Sequence, residues 1–356
     1  MSSHGIFQRL LFAGVLLLSI TAVARPQERS QILDLRGRWA FRIGDDPAWA
    51  SPAASERSWD SVAVPARWED QGYPGYNGYG WYRKHFTVRS EWKGKKLWLM
   101  AGIVDDVDEV YVNGHFIGFS GTFPPHYETD YSSQRWYPLP RTVLNESGDN
   151  VIAIRVFDSE QAGGITGGRV GIAEELDPLH VDVDLAGEWK IMTGDDFAWN
   201  VRGYDDSHWQ PIQVPAYWET QGMKGYDGFA WYRLHFRPDQ QLARKNLVLV
   251  LGKIDDFDQA FLNGEEIGRT GTARQMRSRN WRDTEYKTLR AYELPSGLLT
   301  PGEDNVLAIR VLDVFRHGGI WDGPVGLITK DAYSAWARRQ TTEHKTLWDN
   351  IRDWWK

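Results

Sequence analysis

The chain has 356 residues, 41 Lys and Arg against 48 Asp and Glu, a net charge of −7 and 42% apolar residues, which describes a folded polypeptide long enough for about two domains. With no cysteine, disulfides, thiol catalysis and thiolate metal sites are excluded, and the mild acidity argues against a nucleic-acid partner, which needs a clustered basic footprint. The 19 Trp, 15 Tyr and 14 Phe are a large stock of flat apolar faces, many carrying a polar handle.

Arg9, the apolar run 10–20 and the small pair Ala22 and Ala24 predict a signal peptide over residues 1–24, and hence export to the periplasm or beyond the cell. The run is shorter than the ~20 residues a spanning helix needs, and no later stretch is apolar enough to cross a bilayer, so no transmembrane span is expected after its removal. From there the chain repeats itself. Residues 64–86 (VPARWEDQGYPGYNGYGWYRKHF) align with 214–236 (VPAYWETQGMKGYDGFAWYRLHF) at a constant offset of 150, and GIVDDVDEVYVNG aligns with GKIDDFDQAFLNG at the same offset. DNVIAIRVFD and DNVLAIRVLD, then Gly163-Gly164-Ile165 and Gly318-Gly319-Ile320, follow five residues later in the second copy. A period of this length is domain-sized, far above that of a solenoid repeat.

Within each copy, runs such as WYRKHFTV, KLWLMAG and NVIAIRVFD are rich in Val, Ile, Tyr and Trp and are bounded by Gly, Pro, Asn and Asp, the signature of short strands. Asn113-Gly114 and Asn263-Gly264 lie between such runs and predict tight hairpins, because both residue types tolerate positive φ. The fold class is therefore all-β: two tandem jelly-roll β-sandwiches over 31–176 and 177–330. Residues 331–356 differ. Behind Asp331 as N-cap, Tyr333, Ala337, Gln340, His344, Leu347, Ile351 and Trp354 recur at spacings of 3 and 4, predicting a C-terminal amphipathic helix. It either packs back onto the second sandwich, contacts a partner protein, or lies on a membrane surface.

No G-x-S-x-G elbow, H-E-x-x-H motif or phosphate-cradling loop occurs, and no catalytic residue is assigned. Once both repeats are placed, only the tail remains, which leaves no room for a (β/α)₈ barrel of about 250 residues.

The ordered strings VPA-x-W-E-x-Q-G-x-x-G-Y-x-G-x-x-W-Y-R, G-x-x-D-D-x-D-x-x-x-x-N-G-x-x-I-G, D-N-V-x-A-I-R-V and G-G-I-x-x-G-x-V-G, each present twice, resemble the N-terminal sugar-binding domain of glycoside hydrolase family 2. The resemblance implies a galactose-binding-like sandwich of the kind that precedes the barrel in β-galactosidases and β-glucuronidases. It implies a carbohydrate context, and with two copies and no barrel it does not imply hydrolysis by this chain. A separately encoded glycoside hydrolase is the partner it suggests, and the terminal helix offers a contact for another protein.

The candidate ligand residues are Trp68, Glu69, Tyr76 and Trp81 in the first copy and Trp218, Glu219, Gln221, Tyr226, Asp227 and Trp231 in the second. A sugar offers an apolar C–H face to a ring and a polar rim to acceptors and donors, which suits this set. The alternative makes Trp68 and Trp218 core plugs beneath a glycine-rich loop. Trp321 and Asp322 add a ring and an acceptor where the first copy has Thr166 and Gly167. The first copy carries instead the aromatic insert 123–131, whose counterpart 273–282 is basic. If one copy is only scaffold, it is expected to be the first.

Asp105, Asp106 and Asp108, with Asp255, Asp256 and Asp258, suit a structural calcium ion. They also suit an internal network with Arg83 and Arg155, and with Arg233 and Arg310, since a buried charge needs a partner. Asp45, Asp46, Asp195 and Asp196 are a weaker calcium set, explained more simply by turn and cap chemistry.

Overall fold

The computed structural model describes residues 29–125, 127–271, 285–314 and 317–340. The predicted signal peptide, the basic stretch 273–282 and the tail beyond residue 340 lie outside them. Contacts divide the chain into two compact units that meet between His180 and Val181.

In the first unit ten strands run β1 (Arg29–Asp34), β2 (Gly37–Ile43), β3 (Asp60–Val64), β4 (Gly78–Thr87), β5 (Leu97–Asp105), β6 (Val107–Val112), β7 (His115–Ser120), β8 (Gln134–Leu139), β9 (Asp149–Asp158) and β10 (Gly164–Glu175). A four-stranded sheet has the order β1-β10-β5-β8, and a six-stranded sheet the order β3-β2-β4-β9-β6-β7. The second unit repeats the plan with β11 (Val183–Asp184), β12 (Gly187–Thr193), β13 (Gln210–Val214), β14 (Gly228–Phe236), β15 (Leu247–Asp255), β16 (Phe257–Leu262), β17 (Glu265–Thr270), β18 (Leu289–Glu293), β19 (Asn305–Asp313) and β20 (Gly319–Thr329). Its sheets run β11-β20-β15-β18 and β13-β12-β14-β19-β16-β17. The expected all-β sandwich architecture is what the chain adopts.

The period-2 pattern explains why these segments pair. In β9, Ile152, Ile154 and Val156 turn inward to a core with Leu99, Val110 and Ile172, while Arg155 and Phe157 face outward. The second core is built alike around Leu249, Leu307, Ile309 and Leu327. Both Asn-Gly pairs form the predicted hairpins, with φ of 52° and 82° at Asn113 and Gly114 and 53° and 91° at Asn263 and Gly264. The asparagine side chains also tie the hairpins to the next strand: Asn113 Nδ2 donates to Asn150 Oδ1 at 2.8 Å and Asn263 Nδ2 to Asn305 Oδ1 at 2.9 Å.

The tryptophans are core material to a large extent. Trp39, Trp92, Trp98 and Trp189 join the four discussed below among the largest wholly buried side chains, so much of the ring stock serves packing. The terminal helix begins at residue 330, one position before the expected cap. Tyr333 and Trp336 on its described turns are buried, as a face packed against protein requires. Among the described residues no helix is long and apolar enough to cross a membrane.

Candidate functional site

In each unit, one end of the sandwich gathers the W-E-x-Q-G loop, the first residues of the strand that follows Gly-Gly, and the paired aspartates. Trp68 and Trp218 are wholly buried there. Gly163 presses on the Trp68 ring so closely that a Cβ would lie 2.1 Å from it, and Gly318 stands in the same relation to Trp218. Trp68 N donates to Gly163 O at 3.2 Å and Trp218 N to Gly318 O at 3.1 Å. The carboxylate of Glu69 accepts from Gly163 N at 3.1 and 3.2 Å, and that of Glu219 from Gly318 N at 3.0 and 3.2 Å. Gln221 accepts from Gln213 N at 2.6 Å and donates to Gln213 O at 3.0 Å. The motif therefore seals the loop onto the sandwich: Trp68 and Trp218 are core plugs rather than the exposed rings of the ligand reading, while the half-buried Glu69, Glu219 and Gln221 bond backbone groups of the frame. Burial pushes the Glu219 carboxyl up to about 7.

Trp81 and Trp231 also depart from that reading. They lie on the outer face of the six-stranded sheets, wholly buried beneath Trp49 and Trp199, whose rings meet them edge-on at 6.2 and 6.3 Å. Trp218 and Trp231 thus belong to separate clusters and cannot line one cleft. Tyr76 and Tyr226 are half-buried; their hydroxyls donate to Tyr79 O at 2.9 Å and Phe229 O at 2.6 Å. Asp227 is exposed.

At this end the units differ. Trp321 stacks on Tyr217 with centroids 5.3 Å apart and planes within 5°, and its Nε1 donates to Tyr286 O at 3.2 Å. Lys253 Nζ stands 5.0 Å from the Trp321 centroid and pairs with Asp322 Oδ2 at 2.9 Å. His317 meets Tyr217 edge-on at 5.7 Å. Burial and the charges of Asp255 and Asp322 push the Tyr217 hydroxyl well above its usual range. Trp321 is half-buried and Asp322 buried, so the ring and acceptor expected here are present but already engaged with each other's neighbours. In the first unit the corresponding positions are Arg67, Ile103, Thr166 and Gly167.

The aspartates divide into two groups. Asp105, Asp106 and Asp158 bring carboxylate oxygens within 4.8 Å of one another, a hard-oxygen set that could hold a cation. Asp158 replaces Asp108 in the expected trio. Hydrogen bonds from Thr129 and Ser159 hold Asp106 below its usual range against the effect of burial. Burial and the Asp106 charge push Asp105 up to about 6 and Asp158 up to about 7. In the second unit Asp255, Asp256 and Asp313 are buried, and Asp256 accepts from Val314 N at 3.0 Å.

Asp108 and Asp258 are instead bonded to arginines that the sequence reading missed. Arg135 Nε donates to Asp108 Oδ1 at 2.6 Å, and its Nη2 to Val104 O and Asp106 O at 3.0 and 3.1 Å. Arg290 does the same for Asp258 at 2.7 Å and for Ile254 O and Asp256 O at 2.8 and 2.6 Å. Tyr137 and Tyr292 hydroxyls complete each carboxylate.

The arginines named for that network have other partners. Arg83 pairs with Glu56 at 2.6 Å, and Arg233 with Asp206 at 2.8 Å. Arg155 binds Asp45 through two nitrogens, at 2.7 and 2.5 Å, and Arg310 binds Asp195 at 2.6 Å twice. Asp46 and Asp196 cap short 3-10 turns, accepting from Ala48 N and Ala198 N.

Residues 44–162 match the family model described as the β-galactosidase second all-beta domain. A β-galactosidase of Priestia megaterium is 29% identical over 153 residues, covering 35% of this chain and 14% of its own length. A β-galactosidase of Bacteroides ovatus is 29% identical over 157 residues, covering 40% and 17%. The repeats are related to the non-catalytic sandwich domains of glycoside hydrolase family 2. The chain spans only 14% and 17% of the lengths of these two relatives. A Bacteroides uniformis β-glucuronidase superposes at a TM-score of 0.35 with 16% identity, over 81% of this chain and 28% of that one, a likeness too loose to add weight.

Proposed function

We propose that the chain is an exported, non-catalytic carbohydrate-binding protein that takes neutral sugars or glycans at the loop end of its second sandwich. The observation that supports this reading is the divergence of the two loop ends: Tyr217, Lys253, Trp321 and Asp322 replace Arg67, Ile103, Thr166 and Gly167 on an otherwise shared frame. A ring edge beside a Lys–Asp pair supplies the apolar surface and the polar rim that a pyranose needs. The first sandwich, without that set, is scaffold.

Titration calorimetry of the full chain without its signal peptide against a panel of neutral sugars tests it. A saturable heat that Trp321→Ala weakens by about tenfold or more, a loss of roughly 1.4 kcal/mol, is the expected result. A folded chain that binds none of the panel, or binds undiminished without Trp321, overturns it.

A second reading, an accessory component of a glycosidase system, is favoured by relatives that are matched over only 14% and 17% of their lengths. Turnover of aryl-glycosides by the purified chain alone would contradict the non-catalytic part of both readings.

A further inference from the structure

The outer faces of the two six-stranded sheets carry the same arginine in different company. In the first unit Arg155 is saturated: Asp45 takes two of its nitrogens, and Nη1 donates to Glu109 Oε2 at 3.0 Å. Phe123, from the aromatic insert, lies over the guanidinium at 4.3 Å and stacks on Tyr79. In the second unit Asp195 again takes two nitrogens of Arg310, but Gln259 stands where Glu109 stood. Gln259 sits directly across the ladder from Arg310 and donates its Nε2 to Glu266 at 2.7 Å. Among the described residues Arg310 Nη1 has no acceptor, and the side chain remains 21% exposed.

Two rings flank this open donor. The Arg310 guanidinium lies 4.1 Å from the Phe229 centroid and 4.9 Å from that of Phe197. Phe197 is 51% exposed, where the first unit has Pro47. Counting the paired groups, Arg155 with Asp45 and Glu109 leaves the first face one charge negative, whereas Arg310 with Asp195 leaves the second neutral. The first unit shows that this guanidinium geometry accommodates a second carboxylate at Nη1. The second unit has removed its own and put an exposed aromatic face alongside.

We propose that the outer face of the second sandwich binds a carboxylate-bearing sugar, a uronate unit. Its carboxylate accepts from Arg310 Nη1 beside Gln259, and its C–H face rests on Phe197. The charge-assisted bond gives selectivity for the acid over the neutral sugar, and the ring gives selectivity for a sugar over a bare carboxylate. This site is separate from the loop end and does not depend on neutral-sugar binding there.

The test is titration of the full chain with D-glucuronate, D-glucose and acetate, followed by calorimetry and by the chemical shifts of the aromatic protons. Glucuronate is expected to bind at least about tenfold more tightly than either control. Gln259→Glu installs the carboxylate that the first unit already carries in this setting, and it should weaken glucuronate by about tenfold or more. Phe197→Ala, at an exposed position, should also weaken it, and Trp321→Ala should leave it unchanged. Equal binding of acetate or glucose overturns the assignment, as does indifference to both Gln259→Glu and Phe197→Ala. A loss confined to Trp321→Ala would move glucuronate to the loop end and overturn this site, while leaving the neutral-sugar reading standing.

Discussion

The two sandwiches share much of their internal wiring and differ most tellingly at two places on their surfaces. The Trp plug under Gly-Gly, the Glu that bonds the glycine N–H, the Asp–Arg–Tyr triad and the asparagine ties recur bond for bond. What recurs in both copies holds the fold. What differs, the loop end around Trp321 and the outer face around Arg310, carries the two proposed sites.

The largest expected effect tests the shared part. Arg135 and Arg290 are wholly buried against Asp108 and Asp258. Removing either, as in Arg135→Met or Arg290→Met, strands a carboxylate in the core and should destabilise the unit that carries it by about 3–5 kcal/mol. Denaturant unfolding followed by tryptophan fluorescence should show one transition shifted in each variant. A loss below 1 kcal/mol in either, on the order of a surface pair, would break the equivalence of the two cores.

An intermediate effect belongs to the acidic cluster of the first unit. Asp105 and Asp158 have folded-state values raised to about 6 and about 7 by burial and by Asp106, against roughly 4 in the unfolded chain. A raised acid contributes stability that is complete below its unfolded value and lost as pH rises through its folded value. The first unit should therefore lose stability, on the order of 2 kcal/mol after allowance for screening, as pH rises from about 4 to about 7. Thermal melts across that range, repeated with Asp158→Asn, measure it. An identical slope in the variant would remove the cluster as its origin.

The smallest effect sharpens the difference between the outer faces. Asp45→Ala leaves Arg155 its bond to Glu109, whereas Asp195→Ala leaves Arg310 without an acid. Both pairs are partly exposed, so each loss should lie within about 1 kcal/mol, with the second variant the less stable. The reverse order, in matched melts, would contradict the open donor assigned to Arg310.

The fold was legible because the offset of 150 aligns strand with strand and because Asn-Gly marks the same hairpin twice. The partners were less so. Asp108 and Glu109 are neighbours in β6 and so point to opposite faces of the pleat. Arg155 lies across from Glu109, which put it out of reach of Asp108 and sent that carboxylate inward to Arg135. An R-x-Y pair at 135–137 and 290–292 was visible in the sequence, but it falls after the variable insert, where the offset has slipped to 155. Residue types left the WE-x-Q-G motif open between a core plug and a sugar site, because Trp, Glu and Gln serve a sugar and a backbone equally well. Only the approach of Gly163 and Gly318 to the rings decides it.

That approach has a thermodynamic consequence. With Glu69 and Glu219 each clasping a glycine amide and the indoles filling the space beneath, the loops at this end hold their shape before anything binds. If the proposed ligand binds there, it meets a preorganised surface, and the ordering entropy of association falls mainly on the ligand. Affinity can then come from few contacts, and loss of one of them should show in the dissociation rate.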